Sequence, residues 1–91
     1  MASGHLTLVL RENAAWEEFG AFATGFLAEV GGMVLSRADA PVDRVWTVQI
    51  GSAEVWLAFD DLMARFEINA RDEAGDACVR ALVKRFGPRG G

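Results

Sequence analysis

The sequence has few of the side chains that most enzyme active sites and metal centres use. Its 91 residues include one cysteine, Cys78, and one histidine, His5. A single cysteine excludes an intrachain disulfide and a cysteine-only metal cluster, so nothing indicates an oxidising compartment. A single histidine excludes a multi-histidine metal site, and we expect His5 to lie in a frayed N-terminal segment. We therefore expect no enzyme activity, no catalytic residue, no metal site and no cofactor.

The sequence also lacks a long apolar run and an excess of positive charge. Its first apolar run, residues 6–10, is too short for a signal peptide or a membrane span, so we expect a cytoplasmic protein without a membrane partner. The formal net charge of −4 argues against nucleic-acid binding, because that depends on neutralising phosphates with Lys and Arg. The charge is uneven, since residues 1–70 contain four Arg against ten acidic side chains.

The overall composition is typical of a globular protein. Hydrophobic residues make up 52% of the chain and charged residues 24%, which excludes an intrinsically disordered protein. A chain of this length fits one domain and can bury a core without disulfides. We therefore predict a single domain over residues 1–91, with flexible segments at about 1–4 and 88–91.

Two helices are predicted by apolar residues that recur at three- and four-residue spacing. The first helix follows a strand over residues 6–10, is capped by Asn13 and is stopped by Gly31 and Gly32. The second helix begins near Asp72 and ends at Gly87 and Pro88. The two apolar stripes comprise Trp16, Phe19, Ala23, Phe26, Leu27 and Val30 in the first helix, and Cys78, Val79, Leu82, Val83 and Phe86 in the second. A buried position in the second stripe is the expected role of Cys78.

Residues 44–68 predict a meander of three strands. Gly51 and Ser52 have the composition of a two-residue type II′ turn. A second two-residue turn at Asp60 and Asp61 is predicted to place Val55 opposite Phe66. Both hairpins then have the same apolar face, because successive side chains of a strand point to opposite sides.

These elements predict an α+β domain with the order β-α-β-β-β-β-α. The additional strand covers residues 33–38, and a loop with one proline and two aspartates separates it from the meander. The predicted architecture is a mostly antiparallel sheet with both helices packed on one face, since each helix has one apolar stripe to bury. A right-handed crossover through the first helix would make the first and second strands parallel.

The predicted register places a tryptophan, Trp56, on the face of the sheet opposite the core. Thr47 and Arg65 are predicted to lie beside Trp56, with Arg65 placed for a cation–π contact. Trp, Met and Arg are enriched in the cores of protein interfaces. The predicted partner-binding face comprises Val45, Thr47, Trp56, Ala58, Met63 and Arg65.

A second candidate site is an acidic edge at one end of the sheet. Asp39 and Asp43 lie in one loop and Asp60 and Asp61 in another, and both loops are predicted at the same end of the meander. Clustered carboxylates suit Ca²⁺ or Mg²⁺. The spacing does not resemble an EF-hand, and turns favour aspartate for local hydrogen bonding, so we predict an acidic docking edge and no metal site.

These observations favour a cytoplasmic, non-enzymatic protein-interaction module. The partner is either another protein or a second copy of the chain, bound through the face around Trp56 or through the acidic edge. The alternative is a small-molecule-binding or regulatory domain that uses the same face. The alternative has less support, because the sequence predicts no concave pocket.

Overall fold

A computed structural model of the protein describes residues 5–86, which form an antiparallel five-stranded sheet and two helices. The predicted α+β class and element order are confirmed. The segments predicted to be flexible, 1–4 and 88–91, and the predicted helix end at Gly87 and Pro88 lie outside the described residues. The elements are β1 (Thr7–Arg11), a 3-10 turn (Trp16–Glu18), α1 (Phe19–Val30), β2 (Met33–Asp39), β3 (Arg44–Ile50), β4 (Ala53–Asp60), β5 (Arg65–Ala70) and α2 (Glu73–Phe86).

The strand order in the sheet is β1-β5-β4-β3-β2, and every neighbouring pair is antiparallel. β1 and β2 consequently run in the same direction, which agrees with the prediction from a crossover through the first helix. They lie at opposite edges of the sheet, however, and do not pair. The 12 residues of α1 make a helix about 18 Å long. Five strands span about 19 Å between the two edge strands, so α1 is long enough to cross the sheet.

The β3–β4 hairpin has the predicted register. Ile50 lies opposite Ala53 and Trp46 opposite Leu57, so the turn contains only Gly51 and Ser52. Gly51 has a φ of 63°, whereas Ser52 is not among the residues with positive φ. A positive φ at the first turn residue alone is the pattern of a type II′ turn, as the sequence predicted.

The predicted β4–β5 register is wrong. Val55 lies opposite Ala70 instead of Phe66, and Phe66 lies opposite Phe59. The connection is therefore a loop of residues 61–64 between the paired ends of the strands, not a two-residue turn. Because the displacement is an even number of residues, every β5 side chain keeps its predicted face of the sheet.

Hydrogen bonds within and around the β4–β5 loop explain its length. The Asp60 carboxylate accepts the backbone N–H groups of Leu62 at 3.0 Å and Met63 at 3.2 Å. Ala64 has a positive φ of 51°, and its carbonyl accepts the N–H of Ala14 at 2.7 Å. The loop therefore depends on a contact with the segment between β1 and α1, far away in sequence.

The strands and both helices contribute side chains to one hydrophobic cluster. At its centre, the fully buried Phe66 has ring centroids at 5.5 Å from Phe19, 4.7 Å from Phe22 and 6.0 Å from Phe59. Cys78 is partly buried and packs against this cluster. Its other buried members include Ala23, Leu27, Trp46, Val48, Val55, Leu57, Ile68, Val79 and Leu82.

Three of the four predicted helix ends lie among the described residues. The prediction for the start of α1 is wrong: Asn13 has a φ of 55°, and the 3-10 turn starts after Ala15, whose N–H donates to the Glu18 carboxylate at 3.2 Å. The end of α1 is confirmed, because Gly31 has a left-handed φ of 73°. The start of α2 is also confirmed, since Asp72 accepts the N–H of Gly75 at 2.8 Å.

Two glycines near α1 should respond in opposite ways to substitution by alanine. Gly25 is exposed in the helix, and an added Cβ would meet nothing within 4 Å, so Gly25→Ala should raise the free energy of unfolding by about 0.5–1 kcal/mol. At Gly32, an added Cβ would lie 2.8 Å from Leu27 Cδ2 and 3.0 Å from the Gln49 carbonyl oxygen, so Gly32→Ala should destabilise. Chemical denaturation measures both, and equal changes at the two sites would contradict this prediction.

Candidate interaction face

The face of the sheet opposite the core cluster is called the outer face here. Thr47 and Trp56 lie directly opposite each other on β3 and β4, and Val45 lies opposite Ala58 one pair further along. These four predicted residues therefore lie together. They are absent from the core cluster. Val45, Thr47 and Trp56 are partly exposed, whereas Ala58 is buried. The result is an apolar area around one tryptophan, on the two inner strands β3 and β4.

The other two predicted members of this face are not beside Trp56. Met63 lies in the β4–β5 loop, and Arg65 lies opposite Asp60 at the end of the strands, where its Nε donates to Glu67 Oε2 at 2.8 Å. The error comes from the predicted β4–β5 register. In the observed register Asn69 occupies the position opposite Trp56.

The cation over the tryptophan is Arg71, which the sequence analysis did not identify. Its guanidinium carbon lies 5.2 Å from the centroid of the Trp56 ring, and its Nη1 donates to Glu54 Oε1 at 3.1 Å. Arg71 follows Asn69 by two residues and shares its side of the chain. With the correct register, the alternation of side chains between the two faces would have been enough to place Arg71 on the side of Trp56.

The β5 part of the outer face is polar. The Thr7 hydroxyl donates to the Asn69 side-chain oxygen at 2.6 Å, and the Asn69 amide nitrogen donates to Glu67 Oε1 at 3.2 Å. Together with the Arg65–Glu67 ion pair, these bonds connect three successive outward residues of β5 to β1. The outer face is consequently divided into an apolar part on β3 and β4 and a hydrogen-bonded polar part on β5 and β1.

One end of the outer face forms a depression between the β2–β3 and β4–β5 loops. It has a volume of about 410 Å³, although the sequence predicted no concavity. Three of the four predicted acidic-edge residues, Asp43, Asp60 and Asp61, line it. The other lining residues are Val42, Val45, Ala58, Phe59, Leu62 and Glu67. We call this depression the acidic end.

The fourth predicted acidic-edge residue, Asp39, has a different role. Its Oδ1 accepts from Arg44 Nε and from Trp46 Nε1, both at 2.8 Å. These two hydrogen bonds, the one from Arg44 first, hold the pKa of Asp39 below its ordinary value of 3.8. Asp39 is absent from the lining of the depression and is paired with Arg44, so it does not join the other three aspartates there.

Arg44 is the centre of an aromatic cluster at the start of α1. Its guanidinium carbon lies 4.4 Å from the ring centroid of Trp16, 5.3 Å from that of Phe19 and 5.8 Å from that of Trp46. Its Nη1 also donates to the Trp16 carbonyl at 3.1 Å. Arg44 therefore connects β3 to the 3-10 turn and α1, which is a structural role that the sequence analysis did not identify.

His5 and Cys78 are both held in structural contacts. The His5 Nδ1 lies 2.8 Å from Asp76 Oδ2. The prediction that His5 lies in a frayed segment is therefore wrong. Hydrogen bonds from the Leu6 N–H and from His5 lower the pKa of Asp76. Burial raises the pKa of the Cys78 thiol, which reduces its nucleophilic thiolate form at neutral pH. Within residues 5–86, no group of three or more His, Cys, Asp or Glu side chains is placed to hold a metal ion.

Comparisons with known proteins give one match. A family model with the description "Protein of unknown function (DUF3630)" matches residues 1–86. No curated protein and no solved structure matches the chain. In the part of the chain that the structure describes, no helix combines the length and apolar character that crossing a membrane requires. The family description gives no activity, so the functional proposal rests on the residues of the outer face.

Proposed function

We propose that this chain, which belongs to the DUF3630 family, is a protein-interaction module that binds its partner through the outer face of its sheet. The observation that carries the proposal is that Val45 and Trp56, on two adjacent inner strands, are partly exposed on either side of the buried Ala58. Covering these side chains with a partner would be favourable, because it removes apolar surface from water. A tryptophan supplies the large contact area that dominates many protein interfaces.

The distribution of buried side chains supports an interface on this side of the sheet. The buried residues of α1 and α2 share one cluster with the core-facing strand residues, and that cluster contains no outward-facing residue of β3 or β4. The outer face also has a polar border, formed by Asn69, Glu67 and Arg65 on β5. An apolar centre with a polar border is the usual organisation of a protein–protein interface.

A non-enzymatic role fits the reactive side chains of the described residues. Cys78 is partly buried and burial raises the pKa of its thiol, which opposes the thiolate form that nucleophilic catalysis needs. The Nδ1 of His5 is paired with the Asp76 carboxylate. We further propose a cytoplasmic location, which a free cysteine without a disulfide partner supports.

The second candidate function is binding of a small molecule at the acidic end. The specific observation in its favour is the depression, whose volume of about 410 Å³ falls in the usual range for ligand sites. Its lining combines apolar side chains with carboxylates, so a small amphiphilic cation is the matching class of ligand. A ligand there would contact Val45 and Ala58, which also belong to the proposed protein interface.

Photo-crosslinking tests the proposed interface. With a benzophenone amino acid at Thr47, directly opposite Trp56, ultraviolet light should give discrete crosslinked products in native cell extract. Mass spectrometry then distinguishes a heterologous partner from a second copy, which doubles the mass. Trp56→Glu in the same background should abolish the products, because a carboxylate in a desolvated interface lacks a partner.

The matched control places the same crosslinker at Ala28, an exposed position on α1. Circular dichroism of each variant establishes that it remains folded. Identical products from Thr47 and Ala28, or products from Thr47 that persist in Trp56→Glu, would refute an interface on the outer face.

A further inference from the structure

We infer that the acidic end of the outer face recognises a protein segment that presents a lysine or arginine side chain next to an apolar one. This inference rests on the proposed function and names the chemistry of the partner. It depends on two properties of the depression between the β2–β3 and β4–β5 loops. The first is the exposed aliphatic side chains of its two loops, and the second is the presence of three aspartates without an ion-pair partner among the described residues.

The apolar lining comes from residues of both loops and from the outer face. Leu62 is 89% exposed and Val42 is 58% exposed, although both side chains are aliphatic. Val45 and Ala58 line the depression between them and continue into the apolar area around Trp56. The depression is therefore continuous with the proposed interface, and a partner on the outer face would extend into it.

Three aspartates at the depression form no ion pair with another described residue. Ion pairs within residues 5–86 join His5 to Asp76, Arg44 to Asp39, Arg65 to Glu67 and Arg71 to Glu54. None of them includes Asp43, Asp60 or Asp61, whereas Glu67 is already neutralised by Arg65. The depression consequently has three carboxylates that a partner can neutralise.

A long basic side chain fits both properties at once. Lys and Arg pack their aliphatic portions along apolar surface and place the charged group beyond it, where here the carboxylates would accept hydrogen bonds. A wholly apolar partner would desolvate the carboxylates without neutralising them, which is unfavourable. An acidic partner would be repelled. Charge complementarity therefore selects a segment with adjacent basic and apolar side chains.

Titration of the isotope-labelled full chain with three acetylated octapeptides tests this inference by nuclear magnetic resonance. The peptides differ only in a central Leu-Lys-Leu-Lys, Ser-Lys-Ser-Lys or Leu-Glu-Leu-Glu sequence. Only the first should shift the amide signals of residues 42–45 and 58–62 saturably. Added salt should weaken its binding, because the carboxylates lie in exposed loops.

Removing two of the three carboxylates should weaken the binding. Asp43→Asn combined with Asp61→Asn should raise the dissociation constant about tenfold, as expected for the loss of two exposed ion pairs. Asp60 is left unchanged because its carboxylate holds the loop. The control, Glu17→Gln with Glu29→Gln, removes the same charge from exposed positions on and before α1 and should leave the binding unchanged.

Three results of the peptide titrations would overturn the inference. They are equal weakening by both double variants, equal binding of all three peptides, and no binding of the Leu-Lys peptide. Shifts of the same amides on concentrating the protein alone would show that a second copy occupies the depression, which also contradicts a basic–apolar segment of another protein. The crosslinking at Thr47 is independent of these titrations, so the interface can be upheld while its proposed partner chemistry fails.

Discussion

Replacing Arg44 with alanine should lower the free energy of unfolding by about 2–3 kcal/mol. This loss is slightly smaller than the one caused by removing one partner of a fully buried ion pair. The Arg44 side chain is only 11% exposed, and it contacts three aromatic rings as well as Asp39. Asp39 is 34% exposed, so water partly compensates the carboxylate that the substitution leaves behind. Arg44→Lys should also destabilise, because an ammonium group does not reproduce the planar contacts with the rings.

Arg71→Ala is the matched control for Arg44→Ala. Arg71 also combines an ion pair with a cation–π contact, but the side chains of Arg71 and Glu54 are 39% and 51% exposed. Exposed pairs contribute at most about 1 kcal/mol, so Arg71→Ala should change stability little. Urea denaturation measures both variants. Equal losses would show that Arg44 does not hold β3 to the start of α1.

The Arg44 variant should also change the acid stability of the protein. Asp39 has a folded-state pKa below its ordinary value of 3.8, so it stabilises the fold at pH values above that value. This contribution is lost as the pH falls through the ordinary pKa towards the lowered one. The stability difference between wild type and Arg44→Ala should therefore shrink as the pH falls below about 4. A difference independent of pH would assign the effect of Arg44 to its ring contacts alone.

Replacing Phe66 with alanine should have the largest effect, a loss of about 3–5 kcal/mol. Phe66 has no exposed surface, and its ring contacts Phe19, Phe22 and Phe59. Removing it leaves a cavity between β5, β4 and α1 that these rings cannot fill without leaving their own positions. A loss of this size is a large part of the stability of a small domain, about 5–15 kcal/mol.

Phe86→Ala provides the control for Phe66→Ala. Phe86 is 40% exposed at the end of α2, and its ring centroid is 6.2 Å from that of Phe26. Its truncation should cost about 1 kcal/mol, a typical value for a point substitution. Thermal and chemical denaturation measure both variants. A smaller loss at Phe66 than at Phe86 would contradict the position of Phe66 at the centre of the core.

The sequence by itself determined the order of the elements and the β3–β4 hairpin. Gly51 provides the positive φ that a two-residue turn needs, and the alternating residues on both sides define the register. Val45, Thr47, Trp56 and Ala58 could be placed together on one face for this reason. The information for this hairpin lies within about 15 consecutive residues, where local chemistry decides the geometry.

Only the tertiary structure decided the β4–β5 register and, with it, the surroundings of Trp56. The loop length depends on Ala14, which binds the carbonyl of Ala64 from 50 positions away in the sequence. Alternation cannot distinguish registers that differ by an even number of residues, because both bury the same face. Asn69 and Arg71 therefore replaced the predicted Arg65 and Met63 beside Trp56.

The tertiary structure also decided which carboxylates act together. The sequence showed four aspartates in two loops, but Asp39 points its carboxylate to Arg44 and Trp46, whereas Asp43, Asp60 and Asp61 line one depression. Hydrophobic periodicity reports which side of a strand is buried, but it contains no information on the partners of a charged side chain. Those partners depend on how separate elements pack, and packing is a property of the whole fold.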